Sequence, residues 1–418
     1  MKNVIGFLEE RGFIDNITSD ELKEQAHSSF AVYMGFDPTA DSLHLGNLVG
    51  IIILDWMQQF GHTPIALIGG ATGKIGDPSG KSKERPLLSP QILEQNIDKI
   101  KKQLKQYIKN IVVIDNDSWL SNCYLIDFLR DVGKHFRIGS MLGKESVRSR
   151  IQSNEGLSYT EFSYQVLQGY DFYYLSENRD VVLQIGGSDQ WGNITAGVEL
   201  ARKLSGKTLY GLTYPLLERS DGSKYGKSVE GAIWLDPQKT SRYQFYQYLI
   251  RTEDAIVTQL LRMLTFVKLE EILEFERGFQ LGSFISNAAQ RRLAEEVTRY
   301  VHGEEGVDIS LKVTRAIAPG SQAILDTDVL EEVVQHMPHV TVPSTKIVNQ
   351  KYSDVALISG LVTSKGEALR LMKNGGAYLN NKRVKDATFQ IKATDVIGEK
   401  YILLGAGKKK KVLVQIER

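Results

Sequence analysis

The stretch Phe36-Asp37-Pro38-Thr39-Ala40-Asp41-Ser42-Leu43-His44-Leu45-Gly46-Asn47 decides the fold of this chain, because of what stands on either side of it. The apolar run Phe30-Ala31-Val32-Tyr33-Met34-Gly35 reads as a strand, and the apolar positions from Leu48 to Met57 read as a buried helix. The quoted stretch is therefore a loop at a strand's carboxyl end. In an open α/β sheet that edge is where ligands bind, beside helix N-termini whose free amide groups favour anions. His44 and Gly46 stand at such a helix entrance and supply an imidazole and close access to backbone. The plainer use of His44 is as a helix-start residue bonded to its own backbone.

Outward from this loop, further strands are predicted over Pro64 to Ile68, Ile111 to Ile114 and Val181 to Ile185, each followed by a polar or glycine-bearing loop. Their alternation with helical stretches predicts an α/β domain over residues 1–240, built on a mainly parallel, Rossmann-like sheet. Polar loops at one edge of that sheet make a single crevice the economical arrangement. From 241 to 318 the strand signals vanish and runs such as Leu293-Ala294-Glu295-Glu296-Val297-Thr298-Arg299-Tyr300-Val301 repeat at helical spacing, so a helical domain is expected. Residues 319–350, with Pro338, Pro343 and few periodic positions, read as a linker with room for a short helix. Residues 351–418 are expected to form a small α+β module. There Ser364-Lys365-Gly366-Glu367 is a helix-opening capping box, Asn374-Gly375-Gly376 closes that helix, a strand and turn follow over Tyr378 to Val384, and a strand-like run stands at Val412 to Ile416.

At 418 residues the chain is long enough for two or three domains, each with its own core. Its one cysteine, Cys123, cannot form an internal disulfide and has no metal-ligand spacing around it, which points to the cytoplasm. The opening Met1-Lys2-Asn3-Val4 leads into Glu9-Glu10-Arg11 with no long apolar run, so neither a signal peptide nor a membrane span is expected. The net charge of +1 conceals an asymmetry: from Lys351 to Arg418, 14 Lys and Arg stand against 6 Asp and Glu, and the body before them is net acidic. A basic module on an acidic body is the footprint of a surface that finds a polyanion.

Two nucleotide-binding classes are excluded by spacing. The segment from Gly73 to Ser82 suggests a P-loop, but Ile75 stands where a Walker A motif needs glycine before Gly80-Lys81-Ser82. No Gly-x-Gly-x-x-Gly follows the first strand, which argues against a nicotinamide or flavin enzyme. What remains is a second basic glycine motif, Lys224-Tyr225-Gly226-Lys227-Ser228, in a segment too polar to be core.

His44-Leu45-Gly46-Asn47 and Lys224-Tyr225-Gly226-Lys227-Ser228 resemble the His-x-Gly-His and Lys-Met-Ser-Lys-Ser signatures of class I aminoacyl-tRNA synthetases, with Asn47 in place of the second His and Tyr-Gly in place of Met-Ser. Nearly the whole chain resembles the tyrosyl-tRNA synthetase family of bacteria. Gly35-Phe36-Asp37-Pro38-Thr39, Gly69-Gly70-Ala71-Thr72-Gly73, Gly76-Asp77-Pro78-Ser79-Gly80-Lys81, Phe162-Ser163-Tyr164 with Gln168 and Asp171, and Gly186-Gly187-Ser188-Asp189-Gln190-Trp191-Gly192-Asn193 occur in that family's order.

The resemblance implies activation of L-tyrosine with ATP to tyrosyl-adenylate and pyrophosphate, then transfer to the 3′ end of tRNA(Tyr). It also implies a homodimer and an S4-like RNA-binding tail. Mg²⁺ is expected as the partner of ATP, with no carboxylate cluster marking a protein-held metal site. The attacking carboxylate is already ionised, so catalysis must rest on donors and cations aimed at the phosphates. Thr39 and His44 suit that task at the helix entrance, and Lys81, Arg85, Lys224 and Lys227 suit it from glycine-flanked loops. Asp37, Gly46, Asn47, Gly187 and Asp189 complete the expected ATP site. By family position Tyr33 and Asp171 form the pair that recognises the phenol, and Asp77, Tyr164 and Gln168 surround the ammonium group, with Gln190 near the amino acid or the ribose. Tyr164, Gln168 and Asp171 fall on one face of a helix, a polar stripe hard to explain as core. In the tail, Lys365, Arg370, Lys373, Lys382, Arg383, Lys408, Lys409, Lys410 and Lys411 are the candidate RNA contacts. The alternatives are a tryptophanyl-tRNA synthetase of the same architecture, an RNA-binding or splicing homologue that has lost activation, and a small-molecule nucleotidylyltransferase.

Overall fold

The computed structural model describes residues 3–81, 88–152, 156–228, 231–283, 285–318, 321, 325–334, 337–407 and 410–417. The chain divides into two compact units, Met1–Asp236 with Ile250–Val297, and Pro237–Leu249 with Thr298–Arg418.

The first unit is built on a six-stranded sheet of β1 (Asn16–Ile17), β2 (Ala31–Phe36), β3 (Thr63–Ile68), β4 (Val112–Asp115), β5 (Val181–Gly187) and β6 (Tyr210–Tyr214). Their spatial order is β1-β6-β5-β2-β3-β4, parallel throughout except for β1. Each expected strand is present within a residue or two of its predicted bounds, because β-branched and aliphatic side chains buried on both faces leave a short unbroken apolar run. The order reverses between β2 and β5, which opens a crevice at their carboxyl ends. Beside it the helix Leu45–Gln59 starts three residues earlier than its apolar positions suggest, with His44 as its N-cap. Tyr33, Phe172, Leu175 and Leu209 belong to the core that the sheet shares with the helix Tyr159–Asn178.

An arginine that sequence patterns did not single out organises the edge of this unit. Arg11 is 2% exposed and donates to the carbonyls of Leu261, Arg262, Thr265 and Val267, at 3.3, 3.0, 2.8 and 2.8 Å. A guanidinium here satisfies the orphan carbonyls at the end of the helix Asp254–Leu264, where the helix dipole favours a cation.

In the second unit a five-stranded sheet joins β9 (His339–Pro343), β10 (Ala377–Leu379), β11 (Lys382–Arg383), β12 (Tyr401–Ala406) and β13 (Lys410–Glu417) in the order β11-β10-β12-β13-β9; β7 and β8 are a small hairpin described below. Two expectations are corrected here. Residues 339–343, expected in the linker, are an edge strand parallel to β13. The helical stretch expected as one domain over 241–318 is shared between the units, and its long run Ala288–Ile317 is interrupted at Gly303, whose φ is 71°. Val313 and Ala316 from that run pack with Leu330, Tyr401, Leu403 and Leu413, so the end of the helix shares a core with the sheet.

The helix Lys365–Lys373 begins and ends where its sequence signals lie. Ser364 accepts from the Glu367 amide at 3.2 Å, but Glu367 reaches past the N-cap to the amide and hydroxyl of Thr363, both at 2.8 Å. Gly375 takes the left-handed conformation, φ 68°, that lets Gly376 donate to the Leu371 carbonyl at 2.8 Å and stop the helix. No helix among the described residues is long and apolar enough to cross a membrane.

Candidate active site

The crevice at the ends of β2 and β5 is a cavity of about 290 Å³. Most of the expected site residues line it: Tyr33, Asp37, His44, Gly46, Asn47, Asp77, Lys81, Tyr164, Gln168, Asp171, Gly187, Asp189, Gln190, Lys224 and Lys227. Thr39 does not; its loop turns it outward and leaves it exposed. Arg85 lies outside the described residues, as do Lys408 and Lys409 of the tail.

The floor of the cavity is acidic and buried. Tyr33 comes from the middle of β2 and is fully buried, its hydroxyl without a hydrogen-bond partner. Burial, with the charge of Asp171 nearby, raises its phenol well above the ordinary value. Asp171 is 2% exposed, and burial lifts its carboxyl to about 7, against the pull of two donors. Those donors are Trp119 Nε1, 2.8 Å from Oδ1, and Asn116 Nδ2, 2.9 Å from Oδ2. Neither Asn116 nor Trp119 was expected in the site. Asn116 follows β4, so the rule that drew attention to the other strand ends applied to it as well.

A second polar cluster stands beside the first. Gln190 Nε2 donates to Asp77 Oδ2 at 2.7 Å, Gln168 Nε2 to Gln190 Oε1 at 3.2 Å, and Asn193 Nδ2 to Gln168 Oε1 at 2.9 Å. Tyr164 donates to Asp37 Oδ1 at 3.2 Å, and burial together with Asp37, Asp77 and Asp171 raises its phenol well above the ordinary range. The helix Tyr159–Asn178 thus turns its polar stripe into the cavity, as its spacing predicted.

The mouth is basic. Lys81, Lys224 and Lys227 are exposed, and both Lys224 and Lys81 pull down the carboxyl of Asp189, which burial and Asp77 push up. His44 is held at the helix entrance: its amide donates to Asn47 Oδ1 at 3.0 Å, and its ring lies against Gly46, where a Cβ would come within 3.0 Å of Cε1. Asn47 therefore braces the N-cap with its carbonyl oxygen.

The two motifs, some 180 residues apart in sequence, are stitched into one piece. Lys227–Ser228 (β7) pairs antiparallel with Gly231–Ala232 (β8). The chain beyond runs antiparallel to the first loop, with Leu45 donating to Ile233 O and Leu235 to Leu43 O, both at 2.8 Å. Ile233 donates to Gly226 O at 2.9 Å. Gly226 has φ 89°, and a Cβ there would lie 3.4 Å from the Gly46 amide nitrogen. This close backbone approach at positive φ is why the motif carries glycine.

In the tail, Lys365, Arg370, Lys373, Lys382, Arg383 and Lys410 are exposed, with Lys365 in an ion pair to Asp354 at 2.6 Å. Arg383 lies 5.8 Å from the centre of the Tyr378 ring and donates to its hydroxyl at 3.3 Å. Lys411 departs from the expected solvated turn. It pairs with Gly405 inside the sheet, its ammonium is buried without a hydrogen-bond partner, and burial lowers it to about 8.

A sequence profile of the family described as tRNA synthetases class I (W and Y) matches residues 24–317, and one for a tyrosine–tRNA ligase SYY-like C-terminal domain matches 329–414. A sheet reversed at β2/β5, with these two motifs closed over its edge, belongs to the class I tRNA synthetases. The tyrosine–tRNA ligase of Protochlamydia amoebophila is 50% identical over 422 residues, covering 100% of this chain and 99% of that protein. A chloroplastic/mitochondrial tyrosine–tRNA ligase of Arabidopsis thaliana is 45% identical over 427 residues, covering 99% and 84%. Among solved structures, a C-terminally truncated mitochondrial tyrosyl-tRNA synthetase of Aspergillus nidulans superposes with a TM-score of 0.66 at 31% identity, over 74% of this chain and 92% of that one. The chain belongs to the tyrosine–tRNA ligase family of enzymes.

Proposed function

We propose that the cavity performs the activation and transfer chemistry of a tyrosine–tRNA ligase with a fixed division of labour. The observation that carries this reading is the stitching of His44-Leu45-Gly46-Asn47 to Lys224-Tyr225-Gly226-Lys227-Ser228 at the mouth of a cavity whose floor holds Tyr33 and Asp171. Tyrosine enters phenol first. Its hydroxyl donates to Asp171, held ready by Asn116 and Trp119, and accepts from the otherwise unpartnered hydroxyl of Tyr33. Asp77, Tyr164 and Gln168 receive the ammonium group, with Gln190 bracing Asp77.

That orientation brings the substrate's carboxylate toward the mouth, where ATP enters as its Mg²⁺ complex. Asp37, Gly46, Asn47, Gly187 and Asp189 form the bed for its nucleoside part. A carboxylate oxygen attacks the α-phosphorus, the bond to the bridging oxygen of pyrophosphate breaks, and the charge developing on the phosphates meets His44, Lys81, Lys224 and Lys227. Thr39 and Arg85 are assigned to the same polyphosphate by their family motifs. In the second step the terminal ribose hydroxyl of tRNA attacks the tyrosyl carbonyl and AMP leaves. The S4-like tail supplies the polyanion contacts through Arg370, Lys373, Lys382, Arg383 and Lys410. The chain works as a homodimer in the cytoplasm, the first supported by the apolar surface discussed below and the second by the single half-buried thiol.

A phenol-directed floor favours tyrosine over tryptophan, and the intact His44, Lys224 and Lys227 favour an active enzyme over a silent RNA-binding homologue. Amino-acid-dependent exchange of labelled pyrophosphate into ATP tests this directly. Exchange with tyrosine alone is expected; exchange with tryptophan would overturn the Tyr33 and Asp171 assignment, and none with either would leave the RNA-binding reading.

A further inference from the structure

The signature hairpin carries a feature that its phosphate chemistry does not use. Lys224 and Lys227 are exposed, whereas Tyr225 and Gly226 between them turn inward, Tyr225 being only 6% exposed. A buried tyrosine needs a partner for its hydroxyl. Here Tyr225 Oη lies 2.7 Å from Oγ1 of Thr252, itself 7% exposed.

Thr252 sits in the turn that opens the helix Asp254–Leu264, and that turn is held on several sides. Gln290 Nε2 donates to the Thr252 carbonyl at 3.3 Å and to the Asp254 carboxylate. Ser220, at the start of the hairpin segment, bonds Glu253. The far end of the same helix is fixed by the buried guanidinium of Arg11. On the hairpin side, the Tyr225 amide donates to Leu217 O at 2.8 Å, and the Arg219 guanidinium lies 5.9 Å from the Tyr225 ring centre. One end of the contact is thus a rigid helix start, and the other is a short segment on which Lys224 and Lys227 are exposed.

We propose that Tyr225 is a positioning residue for adenylate formation: its hydroxyl, tethered to Thr252, sets where Lys224 and Lys227 stand over the polyphosphate. The proposal rests on the reading of those two lysines as phosphate donors. Two lysines on a glycine-flanked hairpin have many positions open to them, and a donor displaced by a fraction of an ångström loses much of its value in the transition state. Anchoring the inward residue restricts the outward pair. A methionine or phenylalanine at 225 would fill the same space with no directional bond to Thr252.

The test uses the full chain and three single variants, Tyr225→Phe, Thr252→Val and Lys227→Ala, with the double variant Tyr225→Phe/Thr252→Val. Pre-steady-state adenylate formation is read as a rate and as a KM for tyrosine. Tyr225→Phe and Thr252→Val are each expected to slow the step about tenfold, the size of one lost buried hydrogen bond. The KM for tyrosine stays unchanged and the double variant is no slower than either single one. A merely structural tether would lower the thermal midpoint with no change in rate, and that outcome overturns the proposal. So does an unchanged rate in Tyr225→Phe, or losses that multiply in the double variant. Lys227→Ala separates the premise from the proposal. If it slows the step and Tyr225→Phe does not, the tether alone fails; if Lys227→Ala leaves the rate intact, the lysine reading fails and takes the tether with it.

Discussion

His44 has two uses, and the structure shows how one residue serves both. Its backbone amide caps a helix through Asn47, and its imidazole is set against Gly46 at the mouth of the cavity. His44→Ala keeps the amide bond to Asn47 and removes the ring. We expect the rate of adenylate formation to fall about 10²–10³-fold, the loss seen when one donor to developing charge is removed. The KM for tyrosine should stay within about twofold in stopped-flow measurements, since a donor used only in the transition state leaves ground-state binding alone. Asp171 gives a second residue-level test. Burial raises its carboxyl to about 7, and above that value the ionised carboxylate accepts a stronger, charge-assisted hydrogen bond from a phenol than the neutral acid does. Tyrosine binding should therefore tighten as pH rises through 7. Asn116→Ala removes a donor that favours the ionised form, so it should move that inflection in kcat/KM to higher pH. The stability linkage has the opposite sign. The folded acid keeps its proton where the unfolded one, near 3.8, has lost it, so the Asp171 contribution falls as pH rises between those values. Tyr33 and Asp171 were legible through family motifs. Trp119 was not, because it acts across more than 50 residues on another side chain and carries no local pattern of its own, and Asn116 had only its place at the end of a predicted strand to mark it.

Among elements, the strands of the first sheet were the most legible, since a buried parallel strand announces itself as a short apolar run. β9 was not: it follows Pro338 and ends on Pro343, buries only Val342, and owes its existence to β13 some 70 residues later. The buried ammonium of Lys411 was hidden for a related reason, as only the pairing with β12 shows that β13 begins within the run of lysines. The short helix Leu125–Asp131 presents the opposite case. It carries Leu125, Ile126, Phe128 and Leu129 yet buries none of its residues, and Tyr124, Leu125 and Ile126 remain 79, 69 and 72% exposed. Ile138 and Leu142, a few residues on, are exposed as well, and so many exposed apolar side chains in one short stretch are what a single chain does not normally leave to water. A second copy of the same surface is the occupant that the proposed homodimer supplies. Ile126→Asp is expected to shift the protein from dimer to monomer in light scattering at micromolar concentration. A monomeric wild-type chain, or a variant that stays dimeric, would remove this surface from the interface.

Across the molecule, the cavity and the excess of positive charge are lodged in different units. Every residue lining the cavity lies in the first unit, between Tyr33 and Ala232, while the excess positive charge of the chain lies beyond Lys351 in the second. Cutting the tail away is a poor way to separate them, because β9 would lose β13, and Val313 and Ala316 would lose Leu403 and Leu413 from their shared core. Neutralising exposed side chains leaves that packing in place. Arg370 and Lys373 project from the helix Lys365–Lys373, and Lys382 stands on the edge strand β11, all three open to solvent. If they meet RNA phosphates, the triple variant Arg370→Ala, Lys373→Ala and Lys382→Ala should weaken tRNA binding and make it less sensitive to salt. The slope of log affinity against log salt should fall by about 0.7–0.9 for each phosphate left without its cation. Tyrosine-dependent pyrophosphate exchange, which needs no RNA, should be unchanged. The two readouts together make the assignment decisive. A slope that stays the same means these cations face solvent rather than RNA, whereas a parallel fall in exchange means that the substitutions have disturbed the fold. Only loss of the slope with exchange intact fits a tail that captures the polyanion while the cavity in the first unit carries out the chemistry.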